Sequence, residues 1–310
     1  MIIVQVAGGL GNQLQQYALY RKLVRMGKEA RLDLSWFEQA QFAESGKTKG
    51  KNEKPVVTKR ELELRYFDRL VFEACNDEDR VRLIGDDDLK GKLRRKMFPF
   101  TVKHFQESKM YHPEIFTFDD MYLSGYFACE KYYADILYDL REKIQFPKSD
   151  NPLNYQMAEE MENCCSVSVH IRRGDYLNPE NTAMFGNICT ESYYESAMTV
   201  IKEQMPDAHF YVFSDDVNYV RGKYTGEEYT IVDINHGKDS FYDMWLMSKC
   251  KHNICANSTF SFWGARLNGN ESKIMIRPTI HKNSQTFVKE EMEELWPGWM
   301  FVSPEGKVYG

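Results

Sequence analysis

Apolar and polar positions along the chain fall into two alternating patterns. Ile2 to Val6 is a short apolar run, as expected of a buried strand. Gly8-Gly-Leu-Gly11 then forms a tight loop, and Asn12 to Met26 follows helical spacing, with Leu14, Tyr17, Ala18, Leu23 and Val24 on its apolar face and Gly27 as its stop. Glu29 to Leu34 is the next expected strand, which opens a βαβ unit. Glu44 to Arg60 is rich in Lys, Gly and Glu and predicts a solvated loop. Arg65 to Phe100 predicts charged helix, Tyr122 to Phe127 a strand, and Glu130 to Ile144 a further helix.

Phe146-Pro-Lys-Ser-Asp-Asn-Pro-Leu153 carries two prolines among turn formers, so a domain boundary is expected there, with domains 1–150 and 151–310. The second half alternates more regularly. Val167 to Ile171 predicts a strand, and Thr190 to Met205 a helix capped by Thr190, with Tyr194, Met198, Ile201 and Met205 on one face. Strands are expected at His209 to Phe213, Tyr229 to Val232, Asn253 to Ala256 and Lys273 to Ile276. Helices are expected at Asp216 to Lys223, Ser240 to Lys249 and Thr259 to Leu267. No internal repeat or low-complexity tract is evident.

Composition narrows the function classes. The 310 residues are 43% hydrophobic and 14% aromatic, enough to pack two domains. A net charge of −6 argues against a protein that holds nucleic acid on a broad basic face, though it leaves room for a local anion site. Seven cysteines without regular spacing make neither a disulfide framework nor a zinc site. Met1-Ile-Ile-Val-Gln-Val lacks the basic start and long apolar stretch of a signal peptide, and no run reaches the ~18 apolar residues of a membrane span. A reducing, cytoplasmic setting is expected, with any membrane contact peripheral.

Four clusters carry candidate chemistry, each placed just after an apolar strand, where open α/β sheets bind ligands. Ser166-Val-Ser-Val-His-Ile-Arg-Arg-Gly-Asp-Tyr176 ends in charge. Arg172 and Arg173 should point in opposite directions, so that one grips phosphate oxygens and the other braces the site. Gly174 permits a sharp turn, and Asp175 either holds an arginine or works on a substrate hydroxyl. A surface ion pair at a strand end is the plainer alternative. In Gly8-Gly-Leu-Gly-Asn-Gln13 the glycines permit close backbone approach, and the helix N-terminus offers N–H groups to an anion or a sugar hydroxyl. A purely structural turn is equally compatible. The spacing misses the dinucleotide fingerprint, and only Asp33 offers an acid at the end of the second strand. In Phe213-Ser-Asp-Asp216, one carboxylate could read a guanine edge or a ribose while the other caps the next helix; that both simply cap and solvate is the plainer alternative, and a metal-binding acidic motif lacks apparent supporting oxygen ligands. In Asn257-Ser-Thr-Phe-Ser-Phe-Trp-Gly264, hydroxyls and N–H groups suit a phosphate, and the aromatics suit packing.

In this order the clusters resemble the bacterial α-1,2-fucosyltransferases of glycosyltransferase family 11, over residue 1 to about 280. The resemblance implies an α/β fold of GT-B type, two facing Rossmann-like domains, with GDP-fucose on the C-terminal domain and the acceptor largely on the N-terminal one. It implies that Arg172 grips the donor β-phosphate, with His170, Arg173 and Asp175 shaping the same pocket. Asp215 would read guanine or ribose, and Ser258, Thr259 and Ser261 would hold the pyrophosphate. Gly9, Gly11 and Asn12 would contribute from the other domain, Asn12 reaching across the cleft.

By the same resemblance the enzyme is metal-independent, uses no cofactor, and builds a bacterial surface glycan such as an O-antigen or capsule unit. Its partners would be GDP-fucose and a terminal β-galactoside on an oligosaccharide or glycolipid. The galactose 2-hydroxyl attacks opposite the departing GDP, turning the β-linked donor into an α-linked product. Asp175 is one candidate for the base. Glu180 is another, matching the position of the proposed base in related α-1,6-fucosyltransferases, although the intervening Asn178-Pro179 differs. A non-catalytic nucleotide-sugar-binding protein and a nicotinamide-dependent oxidoreductase are the rival classes.

Overall fold

A computed structural model describes residues 1–38, 60–85, 93, 97 and 102–310, the side chains of Asp175 and Glu180 excepted. The expected loop from Glu44 lies outside the described residues up to Arg60, as does much of the stretch from Gly85 to Phe100. Packing divides the chain into Met1–Gln145 and Phe146–Gly310. Each unit is a mixed α/β body around its own largely parallel sheet.

In the first unit β1 (Ile2–Gln5) runs into α1 (Leu10–Arg25) and returns as β2 (Ala30–Asp33). The capping pair Asn76 and Asp79 starts α2 (Asp77–Ile84). β3 (His104–Gln106) and β4 (Met121–Ser124) complete a four-stranded parallel sheet of order β2-β1-β4-β3. The helix expected over Glu130 to Ile144 is instead two 3₁₀ turns, Glu130–Tyr132 and Ala134–Ile136, followed by α3 (Leu137–Lys143). Tyr132, Tyr133 and Ile136 are all buried, and a 3₁₀ turn brings positions three apart, such as Tyr133 and Ile136, onto one face.

The second unit opens with α4 (Leu153–Asn163) and the wholly buried β5 (Ser166–Ile171). It continues through α5 (Pro179–Phe185), α6 (Glu191–Gln204), β6 (His209–Ser214), α7 (Val217–Lys223), β7 (Tyr229–Val232) and α8 (Tyr242–Lys249). β8 (His252–Ile254), α9 (Thr259–Leu267), β9 (Met275–Pro278), α10 (Lys289–Leu295), β10 (Trp299–Val302) and β11 (Val308–Tyr309) follow, the last three not expected from the sequence.

The sheet order is β11-β10-β9-β8-β5-β6-β7, parallel except for the β10–β11 pair. Successive strands grow from β5 to β7 on one side, then restart at β8 on the other side of β5. β5 and β8 therefore flank a topological switch point, where the outgoing loops diverge and leave a crevice. Val167, Val169 and Ile171 pack with Tyr193, Tyr194 and Ile201 of α6 beneath one face. Tyr211, Phe213, Leu246 and Met247 form the core of the other. Among the described residues no helix is long and apolar enough to cross a membrane.

The Thr190 hydroxyl accepts from the Tyr193 N–H as the cap of α6 and donates to the Pro304 carbonyl. Thr190→Ala is expected to lower unfolding free energy by about 1 kcal/mol, with Thr190→Ser near wild type, measured by urea denaturation.

Candidate functional site

The carboxyl end of β5 is organised by a carboxylate from the neighbouring strand. Ile171 pairs with Ser214, so the residues following each strand meet at one edge. Asp215 Oδ1 accepts the backbone N–H groups of Arg173 (2.9 Å) and Gly174 (3.1 Å), and Oδ2 lies 2.8 Å from Arg172 Nη1. A Cβ at residue 174 would fall 2.4 Å from Asp215 Oδ2. Glycine stands here to admit that carboxylate, and its backbone is not in the left-handed region that the expected sharp turn suggested.

The two arginines take separate partners on the same acidic pair. Arg172 meets Asp215 and lies over the Tyr176 ring at 5.7 Å. Arg173 Nε donates to Asp216 Oδ2 at 3.0 Å, and its guanidinium stacks 3.7 Å above Tyr219. The Arg173 contact holds the Asp216 carboxyl below the usual range, and Asp216 also caps α7 by accepting from Tyr219 N–H. Each arginine is thus paired with its own aspartate. Asp215, expected to read guanine or ribose, directs its oxygens to the β5 loop and Arg172.

Beneath the arginines, His170 is buried beside Phe260 and its Nδ1 has no hydrogen-bond partner. Burial and then the Arg172 charge push it down to about 3, so it is a neutral wall at physiological pH. Across the switch point, α9 begins at Ser258, whose hydroxyl makes no cap bond, and no acidic residue sits in its first turn. The first-turn N–H groups and the positive end of the helix dipole are not answered by a side chain at Ser258. Ser261 is buried and donates to the Ser258 carbonyl at 3.2 Å, while Ser258 and Thr259 are partly exposed. Phe262 and Trp263 are buried, as the packing reading requires.

Asn257 is a fastener that the sequence did not single out. Its Nδ2 donates to the carbonyls of Phe185 (3.0 Å) and His281 (3.1 Å), and its own carbonyl accepts from Tyr176 OH (3.0 Å). Tyr176 stacks on Phe185 at 5.1 Å. One buried amide therefore ties the loops after β5, β8 and β9. Asp175 follows Gly174 in a 3₁₀ turn and Glu180 lies in the first turn of α5, but the side chains of both fall outside the described residues.

In the first unit Gly8 has φ +84°, and a Cβ there would meet Asn12 Nδ2 at 2.7 Å. Gly9 precedes α1 and Gly11 is buried in its first turn. Buried Gln13 donates to the carbonyls of Gly8 and Glu61, and its Oε1 accepts from the N–H groups of Glu63 and Leu64. Gln16 joins Ala7 to Gly125 in the same way. Near the start of α1, burial raises the Glu63 carboxyl, opposed by the nearby Arg60 charge and by the Leu10 backbone N–H. Asp33 accepts from Tyr122 OH at 2.6 Å and from Ser35 N–H, so it is committed within the unit rather than presented to a ribose. All seven cysteines are free thiols. Among the described residues no group of three or more His, Cys, Asp or Glu could hold a metal ion.

A second polar cluster lies at the carboxyl end of β7, beside a cavity of about 240 Å³ lined in part by Ser149, Asn151, Asn235 and Tyr242. Asn154 and Asn235 exchange amide hydrogen bonds at 2.8 and 2.9 Å, and Asn235 Nδ2 donates to Asp243 at 2.9 Å. Burial, aided by the Asp233 charge and opposed by the Asn235 amide, pushes the Asp243 carboxyl up to about 7.

The glycosyl transferase family 11 model matches residues 100–303. The chain is 30% identical to an alpha-1,2-colitosyltransferase of Escherichia coli, covering 96% of each chain. It is 30% identical to the O-antigen biosynthesis glycosyltransferase WbnK of Escherichia coli, covering 88% of this chain and 92% of that one. Among solved structures it aligns with the fucosyltransferase NodZ from Bradyrhizobium at 13% identity and a TM-score of 0.41, covering 85% and 91%.

Two stability predictions follow from these contacts. Gln13→Leu, which strands four backbone groups, is expected to cost about 3 kcal/mol in urea denaturation. Below about pH 4 Asp243 is protonated in both folded and unfolded states; as pH rises toward 7 only the unfolded chain ionises, so stability falls over that window and levels off above it. Asp243→Asn keeps an acceptor for Asn235 and removes that loss, so thermal unfolding of the variant should rise relative to wild type between pH 5 and pH 8.

Proposed function

The chain belongs to glycosyl transferase family 11, and from that premise we propose that it moves L-fucose from GDP-fucose to the 2-hydroxyl of a terminal β-galactoside during bacterial surface-glycan synthesis. The observation that carries the reading is Arg172 directly after β5, one of the two strands that flank the switch point, with the start of α9 following the other. The α-1,2 linkage and the O-antigen setting rest on the names of the two Escherichia coli relatives. A colitosyl nucleotide is the second reading of the donor, favoured by the first of those names.

Departure of the nucleotide leaves negative charge on its β-phosphate. Arg172 and the N–H groups of the first turn of α9 meet that charge, with the Ser258 and Thr259 hydroxyls beside them, in place of a divalent metal. Ser261 supports the turn from within. His170, neutral and buried, shapes the wall without adding charge. The acceptor hydroxyl attacks the opposite face of the sugar and inverts the anomeric centre, and Asp175 or Glu180 takes its proton late.

Incubation with GDP-fucose or its colitosyl counterpart, lactose and EDTA tests this. Free GDP and an α-1,2-linked trisaccharide are expected, and Arg172→Ala should lower kcat/KM by roughly 10²–10³-fold. GDP binding without product from either donor would favour a non-catalytic binder, and loss of product on chelation would overturn the metal-free step. Of Asp175→Asn and Glu180→Gln, the base is the one whose loss depresses kcat with little change in KM.

A further inference from the structure

Asp215 stands where a nucleotide reader would be expected, yet its contacts are those of a bracket. One oxygen takes two consecutive backbone N–H groups of the β5 loop, and the other takes Arg172 at 2.8 Å. The absence of a side chain at Gly174 is what lets the carboxylate sit there, since a Cβ would lie 2.4 Å from Oδ2 and 3.0 Å from Cγ. A guanidinium is planar and can serve acceptors on two edges, so pinning one edge fixes the plane offered to a second oxygen. The neighbouring pair, Arg173 with Asp216, is built in the same way but stacked on Tyr219, which leaves Arg172 as the arginine aimed by the loop.

We propose that Asp215 is a positioning residue for donor binding: it orients Arg172 toward the donor β-phosphate and does not read the base or the ribose. The inference rests on the donor-site reading above. It also runs against simple charge counting, because deleting a carboxylate beside a phosphate site should tighten anion binding. A bracket predicts the reverse. In Asp215→Asn one amide oxygen can still take the loop N–H groups, but the amide nitrogen faces Arg172 donor to donor and releases it.

The test is titration of the full chain with GDP and with GMP, which shares base and ribose but lacks the β-phosphate. Asp215→Asn should weaken GDP by about tenfold or more and leave GMP within about twofold, the loss expected of one charge-assisted contact. Arg172→Ala should give the same pattern, and the double variant should lose no more than Arg172→Ala alone. Gly174→Ala, which displaces the carboxylate, should reproduce it. Equal loss of GDP and GMP in Asp215→Asn would overturn the proposal in favour of a base or ribose reader. Unchanged or tighter GDP would overturn it as well. A wild-type chain that binds neither nucleotide would overturn the donor reading itself, a result distinct from either pattern in the variants.

Discussion

The second unit depends on one constraint of chain topology. A parallel sheet that grows outward from β5 to β7 and then resumes at β8 on the opposite side of β5 must send the loops after β5 and β8 apart. Backbone N–H groups and polar side chains stand at the edge where these loops diverge. Arg172, the opening of α9 and the Asn257 fastener all occupy this edge. Arg172 lies far in sequence from Asn257 and the start of α9, and each reaches its place because its strand ends there.

Electrostatics at that edge favour a bound anion over a bound cation. α9 carries no acid in its first turn, His170 is held neutral, and the two carboxylates after β6 are each committed to an arginine. Asp216 serves the helix that follows it, whereas Asp215 serves the loop beside it. Two adjacent aspartates thus do different work because one follows the strand closely enough to reach β5 and the next begins a helix.

The first unit spends its polar motif residues on itself. Gln13 and Gln16 are buried and bind the chain around the start of α1. Four hydrogen bonds to Gln13 fix the turn at 61–64 against the glycine loop, between whose structural and ligand-binding readings the sequence did not choose. A buried polar side chain with every partner supplied by backbone is a rigid fastener, because breaking it leaves unpaired groups out of reach of water.

By itself the sequence determined the strand and helix alternation of the second unit, the caps Thr190 and Asp216, the positions of the four clusters and the family resemblance. These are local: period, caps and turn residues act within a few positions, and a strand end in a parallel sheet is the expected address of a ligand. The alternating Ser166, Ser168 and His170 of β5 are all buried, Ser168 accepting from Asn253 across the sheet. Only tertiary structure decided that, and it also turned Glu130 to Ile136 from helix to 3₁₀ turns, gave Gly174 its reason, and assigned Asp215 to Arg172. Each of these depends on a residue tens of positions away brought to within hydrogen-bond or van der Waals distance, a condition that pairing register and core packing set and that no local pattern encodes.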